Sequence, residues 1–314
     1  MRLAFMGTPN FALPTLQALI DAAGHEVVAV ITQPDKPKGR GRQLQPPPVK
    51  QLAQQWEIPV FQPDRLRDNG EIYSILAQSS LDAVIVVAYG KMIPADMLEI
   101  PVNGFINVHA SLLPFYRGAA PINRAILAGE DTTGVSIMRI DAGMDSGAVF
   151  LQAATPIEET QDAGDLSEQL SQLGAIKLIE TLELLEKGQI SSTPQDHERA
   201  TFAPMLKKEE GEINWNSDPK TIHNMIRAFV PWPCAYTYME TKTLKIWSGS
   251  YSNQPHELPN GTLVKEGAKL KIACSGGFII PHTLQLQGKK AMDSQAFSCG
   301  MHESGIILGK GDLP

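Results

Sequence analysis

Asn107 and His109 stand two residues apart in the run Phe105-Ile106-Asn107-Val108-His109, and their types suit acyl-transfer chemistry. Phe105, Ile106 and Val108 predict a buried strand that runs out into a loop before Gly118 and Pro121. A strand projects alternate residues from one face, so the carboxamide and the imidazole enter the same space. Aimed together, an amide NH2 and an imidazolium NH hold an oxygen that gains negative charge, each donor contributing roughly 2.7 to 4 kcal/mol at such a site. A core histidine beside a turn asparagine has the same spacing and is the commoner case. Two carboxylates follow in Asp141-Ala142-Gly143-Met144-Asp145-Ser146-Gly147. Aspartates beside glycines usually cap their own backbone in turns. Asp145 is expected to do more, because a carboxylate near His109 favours the imidazolium and keeps it ready to hold an oxyanion or move a proton.

These groups need a frame. Arg2 to Met6 is a short apolar strand, and Gly7-Thr8-Pro9 turns it toward a helix beginning near Pro14, a residue tolerated in a first turn. Val27 to Ile31, Ala83 to Ala88 and Phe105 to Val108 follow as buried strands, with helical stretches near 49–56 and 70–79. Gly134 to Ile140 and Ala148 to Ala153 flank the aspartate loop as strands, and a long amphipathic helix runs from an expected N-cap at Asp165 to about Lys187. The expected fold is α/β, a Rossmann-like, doubly wound, mostly parallel sheet. No Gly-x-Gly-x-x-Gly follows a strand and no Gly-x-x-x-x-Gly-Lys-Ser/Thr occurs, so the usual backbone cradles for dinucleotides and nucleoside triphosphates are missing. Farther on, Asp218 to Phe229 predicts a short helix. After Pro231-Trp232-Pro233, short strands separated by Gly, Pro, Asn or Ser predict a small β-barrel, OB-like in type.

The bulk properties agree with two domains. The chain has 314 residues, 43% of them hydrophobic, enough for a sizeable core. The apolar run Ala83 to Tyr89 is far too short to span a bilayer, and Gly7-Thr8-Pro9 cuts short the only stretch resembling a signal peptide, so a cytoplasmic enzyme is expected. Cys234, Cys274 and Cys299 are widely spaced and the histidines are scattered, which argues against disulfides and implies no metal. Net charge is -7, yet residues 1–206 carry -9 and residues 207–314 carry +2. Within the acidic part, Lys36 to Lys50 holds Lys36, Lys38, Arg40, Arg42 and Lys50 without an acidic residue. Composition alone makes this Pro- and Gly-rich stretch an exposed, solvated loop.

The motifs in order, Phe5-Met6-Gly7-Thr8-Pro9, Asn107, His109, Ser111-Leu112-Leu113-Pro114, Arg117-Gly118, Pro121, the Asp141 to Gly147 loop and Pro231-Trp232-Pro233, resemble the folate-dependent formyltransferases. The likeness is closest to the members that act on methionyl-tRNA and covers nearly the whole chain. It implies formyl transfer from 10-formyltetrahydrofolate, as donor and without a metal, to the α-amino group of methionyl initiator tRNA. It implies Asn107, His109 and Asp145 as the catalytic set. Folate contacts are implied at Val87, Ala88, Tyr89 and Gly90, at Ser111, Leu112, Leu113 and Pro114, and at Asp141. The tRNA contacts implied are Lys36, Lys38, Arg40 and Arg42 in the basic loop and Lys207 and Lys208 at the domain junction. Met205 departs from the pattern, since relatives usually carry a lysine there, and Cys234 replaces a common glycine. The domains expected are 1–189, catalytic; 190–208, a linker; and 209–314, OB-like and tRNA-contacting, in a monomer with no membrane partner. Two alternatives share these features: a formyltransferase of a small amine such as a sugar nucleotide or glycinamide ribonucleotide, and a non-catalytic RNA-binding module.

Overall fold

Short runs of apolar residues build the first sheet, and their alternate side chains pack on its two faces. The computed structural model describes residues 1–38, 43–267, 269–301 and 304–309. The chain begins β1 (Arg2–Gly7), α1 (Leu13–Asp21), β2 (Glu26–Ile31), β3 (Lys36–Lys38), β4 (Gln43–Gln45), α2 (Pro48–Gln55), β5 (Val60–Phe61), α3 (Gly70–Gln78), β6 (Ala83–Val87) and β7 (Phe105–His109). It continues α4 (Pro121–Ala128), β8 (Thr132–Arg139), β9 (Val149–Pro156) and α5 (Ala163–Glu186). Among the described residues, seven strands pair in the order β5-β2-β1-β6-β7-β8-β9. The first five are parallel and β8 and β9 run antiparallel at one edge. Leu3, Phe5, Ala83, Ile85 and Val87 join one core with Leu16, Leu19, Leu178 and Leu182. Their neighbours Ala4, Met6, Val84 and Val86 join another with Ile72 and Leu76. A strand buried on both faces has no need of polar alternation, which is why β6 reads Ala-Val-Ile-Val-Val. Each such side chain taken from water contributes roughly 1.5 to 3 kcal/mol.

Strand order reverses between β1 and β6, and the carboxyl ends of strands at such a switch point open into a crevice. β7 lies beside β6 on that edge.

The later elements are α6 (Pro219–Ala228), β10 (Ala235–Met239), β11 (Lys242–Ser252), β12 (Thr262–Glu266), β13 (Lys269–Cys274), β14 (Gly277–Leu286), β15 (Met292–Asp293), α7 (Ser294–Cys299) and β16 (Ile306–Ile307). They form an antiparallel sheet in the order β10-β11-β14-β13-β12-β16. The Gly309 N–H donates to the Tyr238 carbonyl on β10 at 2.9 Å and draws the two ends into a barrel. Ile246, Leu263, Ile272 and Ile279 fill it, and Ile222 and Ile226 of α6 join that core.

Compact packing groups residues 1–121, 132–156 and 167–203 in one unit and 122–131, 157–166 and 204–314 in a second. Residues 190–203, expected within the linker, thus pack with the first unit, because Gln195, Thr201 and Ala203 are hydrogen-bonded to the chain around Arg117. The start of α5 differs too. Asp162 caps the helix by accepting from the N–H groups of Gly164 and Asp165 at 2.7 and 3.0 Å, and Asp165 answers by accepting from Asp162 N–H at 3.2 Å. Asp165 is therefore the return half of a capping box, and the cap lies three residues earlier. Among the described residues no helix is long and apolar enough to cross a membrane.

Candidate active site

Asn107 and His109 leave the same face of β7, as their spacing requires. Val108 between them points the other way into the core shared with α5. There Gly174 lets the helix come close, since a Cβ at that position would lie 2.6 Å from Val108 Cγ1. The two polar side chains are thereby backed by a tightly packed helix. Asn107 is half-buried, and its carboxamide makes no hydrogen bond among the described residues. His109 is buried and has an oxygen facing each ring nitrogen. Nε2 lies 3.0 Å from the Tyr116 carbonyl, and Nδ1 lies 3.7 Å from Asp145 Oδ2. A carbonyl only accepts, so Nε2 carries a proton. The remaining nitrogen, Nδ1, faces the carboxylate across a gap too long for a direct hydrogen bond.

Asp145 sits in the loop between β8 and β9 with φ +48°, a left-handed conformation that costs a non-glycine residue roughly 1 to 2 kcal/mol. Surrounding bonds hold it there. Its Oδ2 accepts from Gly118 N–H at 2.8 Å. Gly118 has φ +118°, and a Cβ on it would come 2.9 Å from the Ala203 carbonyl, so only glycine brings its N–H to this place. The Gln195 amide donates to the carbonyls of Asp145 and Gly147 at 2.9 and 2.7 Å. Arg117, only 5% exposed, donates to Gln195 Oε1 from Nε at 3.0 Å and from Nη2 at 2.6 Å, and its Nη2 lies 3.1 Å from His197 Nδ1. Sequence reasoning quoted Arg117 and Gly118 within a motif but gave them no part to play, and it passed over Gln195 altogether.

Of the residues expected to contact folate, Val87 to Gly90 and Ser111 to Pro114 follow the carboxyl ends of β6 and β7, whereas Asp141 follows β8, which runs antiparallel to β7. Val86 pairs across from Asn107, so Val87 to Gly90 leaves β6 beside the end of β7. Ala88 and Gly90 are exposed with φ +47° and +80°. The Tyr89 ring is instead buried in the core, and burial pushes its hydroxyl up to about 12. What Tyr89 offers the edge is backbone, and its carbonyl already accepts from Thr8 Oγ1 at 3.2 Å and Gln33 Nε2 at 2.9 Å. Ser111 is buried and donates to the Phe115 carbonyl at 2.6 Å. Leu113 is pinned through its N–H to Ser136 Oγ at 3.0 Å and through its carbonyl to Gln152 Nε2 at 2.9 Å, leaving Leu112 and Pro114 half-buried at the loop surface. Asp141 caps its own turn, its Oδ1 accepting from Gly143 N–H at 3.0 Å and Ser146 Oγ at 2.8 Å.

Lys36 and Lys38 lie on β3, which pairs with β4 as a two-stranded ribbon, more regular than the loop expected. Arg40 and Arg42 lie outside the described residues. Lys36 Nζ donates to Gln33 Oε1 at 2.7 Å and forms no ion pair among the described residues. Lys50, counted in the same basic run, is neutralised by Asp35 at 2.9 Å. In the second unit, Lys207 and Lys208 are exposed at the start of a short turn. Glu210 fixes that turn, its Oε1 accepting from Lys207 N–H at 2.7 Å and from Arg124 Nη2 at 3.0 Å, while Arg124 Nη1 donates to Oε2. The Arg124 hydrogen bond holds the Glu210 carboxyl below the usual carboxylate range. A cavity of about 580 Å³ in this unit is bordered by His223, Arg227, Trp247 and Tyr251, and Asn107, His109 and Asp145 are not among its lining residues.

With this geometry in hand, comparisons with known proteins converge. The profile described as "Formyl transferase" matches residues 1–182, and "Formyl transferase, C-terminal domain" matches residues 205–302. A protein of Desulforamulus reducens named methionyl-tRNA formyltransferase is 46% identical over 312 residues, 98% of this chain and 98% of its own. Another so named, from Geotalea uraniireducens, is 46% identical over 314 residues, 99% of each chain. Among solved structures, an N-formyltransferase from Helicobacter canadensis in complex with folinic acid and dTDP-3-aminofucose superposes with a TM-score of 0.66 at 19% identity, covering 89% of this chain and 98% of that one. At that identity the likeness speaks for the fold.

Proposed function

The chain belongs to the formyl transferase family, and from that premise we propose that it transfers a formyl group from 10-formyltetrahydrofolate to the α-amino group of methionyl initiator tRNA, giving N-formylmethionyl-tRNA for translation initiation. The observation that carries this reading is the 46% identity to methionyl-tRNA formyltransferases along both parts of the chain, against 19% to a relative whose complex holds a sugar nucleotide. Residues 1–189 serve as the catalytic domain and residues 209–314 as the tRNA-contacting one. The enzyme acts as a cytoplasmic monomer.

The carboxamide of Asn107, which spends no hydrogen bond on the described residues, donates to the formyl oxygen as the amine attacks the formyl carbon. His109 supports it from the same strand face. With Nε2 engaged by Tyr116, proton traffic falls to Nδ1, opposite Asp145. The amine needs no covalent help, since a neutral nucleophile held against the carbonyl already has the advantage of proximity. The donor supplies an activated formyl group, and the bond to its folate nitrogen breaks as the new amide forms. Val87 to Gly90 and Leu112 to Pro114 offer backbone and apolar surface at the edge where a flat ring would lie. Lys36, Lys38, Arg40, Arg42, Lys207 and Lys208 neutralise tRNA phosphates.

The test is one assay with purified protein and 10-formyltetrahydrofolate. Methionyl initiator tRNA is expected to be formylated while free methionine and an amino-sugar nucleotide are not. Faster formylation of the sugar nucleotide would overturn the choice of acceptor, and no transfer to any amine would overturn the enzymatic reading.

A further inference from the structure

The tripeptide Tyr116-Arg117-Gly118 touches both groups assigned to proton handling. The Tyr116 carbonyl holds His109, the Gly118 N–H holds the Asp145 carboxylate, and the Arg117 side chain reaches the Asp145 loop from behind through Gln195. Gln195 is 9% exposed and every hydrogen-bonding direction of its amide is used at one end or the other. Its oxygen accepts twice from Arg117, and its two hydrogens go to the carbonyls of Asp145 and Gly147. Turning the amide over would set its NH2 against the guanidinium and its oxygen against two carbonyls, so Arg117 fixes which way it points.

Packing alone is a poor account of this cluster. Arg117 is a buried cation, yet among the described residues it forms no ion pair, and its side-chain partners are a neutral amide and a histidine nitrogen. A buried charge without an anion is costly to keep. A plain hydrophobic contact would close the same space with less penalty. What the arrangement achieves is control over one backbone segment, residues 145–147, in which Asp145 takes a left-handed conformation. That conformation sets where the Asp145 carboxylate lies relative to His109 Nδ1.

We infer that Arg117 and Gln195 are positioning residues for formyl transfer, acting through Asp145 and touching neither substrate. The inference rests on the reading of Asp145 as part of the proton-handling pair. A group that must hold another within a fraction of an ångström affects turnover more than substrate affinity. Removing it after its client has gone should then cost little more.

The experiment compares Gln195→Ala, Gln195→Glu and Asp145→Asn, alone and combined, in the full-length enzyme with methionyl-tRNA and 10-formyltetrahydrofolate. Gln195→Glu keeps an acceptor for Arg117 but turns an oxygen toward both loop carbonyls, so it separates loop position from fold stability. Both Gln195 variants are expected to lose about tenfold or more in kcat with each KM within about twofold, Gln195→Glu at an unchanged melting temperature. In the Asp145→Asn background either change should lower kcat by less than about twofold. Near-native kcat in Gln195→Glu, or the full loss repeated in that background, would overturn the inference. Should Gln195→Ala fail to fold, Gln195→Glu and Arg117→Lys carry the same comparison. Near-native turnover by Asp145→Asn alone would instead remove the reading beneath it, an outcome distinct from impaired Asp145→Asn beside native-like Gln195 variants.

Discussion

Arg117 and Arg124 come from one short stretch of chain and secure two functional segments by opposite means. Arg117 is buried, binds a neutral amide and a histidine, and through them shapes the Asp145 loop. Arg124 is more open, pairs with the Glu210 carboxylate, and so steadies the turn that carries Lys207 and Lys208. The contrast fits the part proposed for each segment. A group that meets a reacting atom needs one orientation, and directional bonds through an amide impose it. Lysines that meet phosphates need only be presented, and a solvent-facing ion pair is sufficient because point charges tolerate displacement.

The sharpest way to test that division is to remove a group that chemistry needs and the fold does not. Asn107→Ala is expected to lower turnover by about 10²-fold or more while leaving the melting temperature unchanged, because its carboxamide has no hydrogen-bond partner among the described residues. Steady-state rates with thermal melts check this. Equal losses in rate and stability would move Asn107 from the reaction to the core.

The second unit should answer more gently. Glu210→Gln is expected to raise KM for methionyl-tRNA by roughly two- to fivefold, with kcat little changed, since partly exposed ion pairs are typically worth under about 1 kcal/mol. The change should shrink as salt rises. A fall in kcat comparable to that of the Gln195 variants would erase the distinction between positioning and presentation.

How far the chain could be read without coordinates depends on the range of the signal. β1, β2, β6 and β7 were legible because a short apolar run is a local signal, and the facing of Asn107 and His109 follows from strand geometry alone. The barrel was legible from strand spacing and turn residues. The place of Gln195 was not. It lies in a polar stretch broken by Pro194, where no periodicity marks a buried residue, and its partners are a side chain 78 positions earlier and carbonyls 48 and 50 positions earlier. The Arg124–Glu210 pair, 86 positions apart, was hidden for the same reason. Lys50 shows the reverse error of a charge count, since a residue that enriches a basic run is cancelled by Asp35 just outside it.

The smallest expected effect concerns pH. Arg124 and the Lys207 N–H favour the ionised form of Glu210, lowering its pKa in the folded protein from the ordinary 4.5, while the unfolded chain keeps the ordinary value. A carboxyl depressed in this way contributes stability that is present above its unfolded pKa and is lost as pH falls through the lower folded value. The gap in unfolding free energy between the native protein and Glu210→Gln should therefore be largest near neutrality and close in acid, as pH falls from the ordinary carboxyl value through the lower folded one. Asp35 is also depressed, by its hydrogen bonds from Gln62 and Lys50, but it titrates alike in both proteins and cancels from the difference. Gln195 has no proton to gain over that interval. Urea unfolding of the native protein and of Glu210→Gln, run across the acid range, checks the sign. A gap that widened toward low pH would mean that Glu210 is strained by its partners, and the ion pair would no longer account for how the two lysines are held.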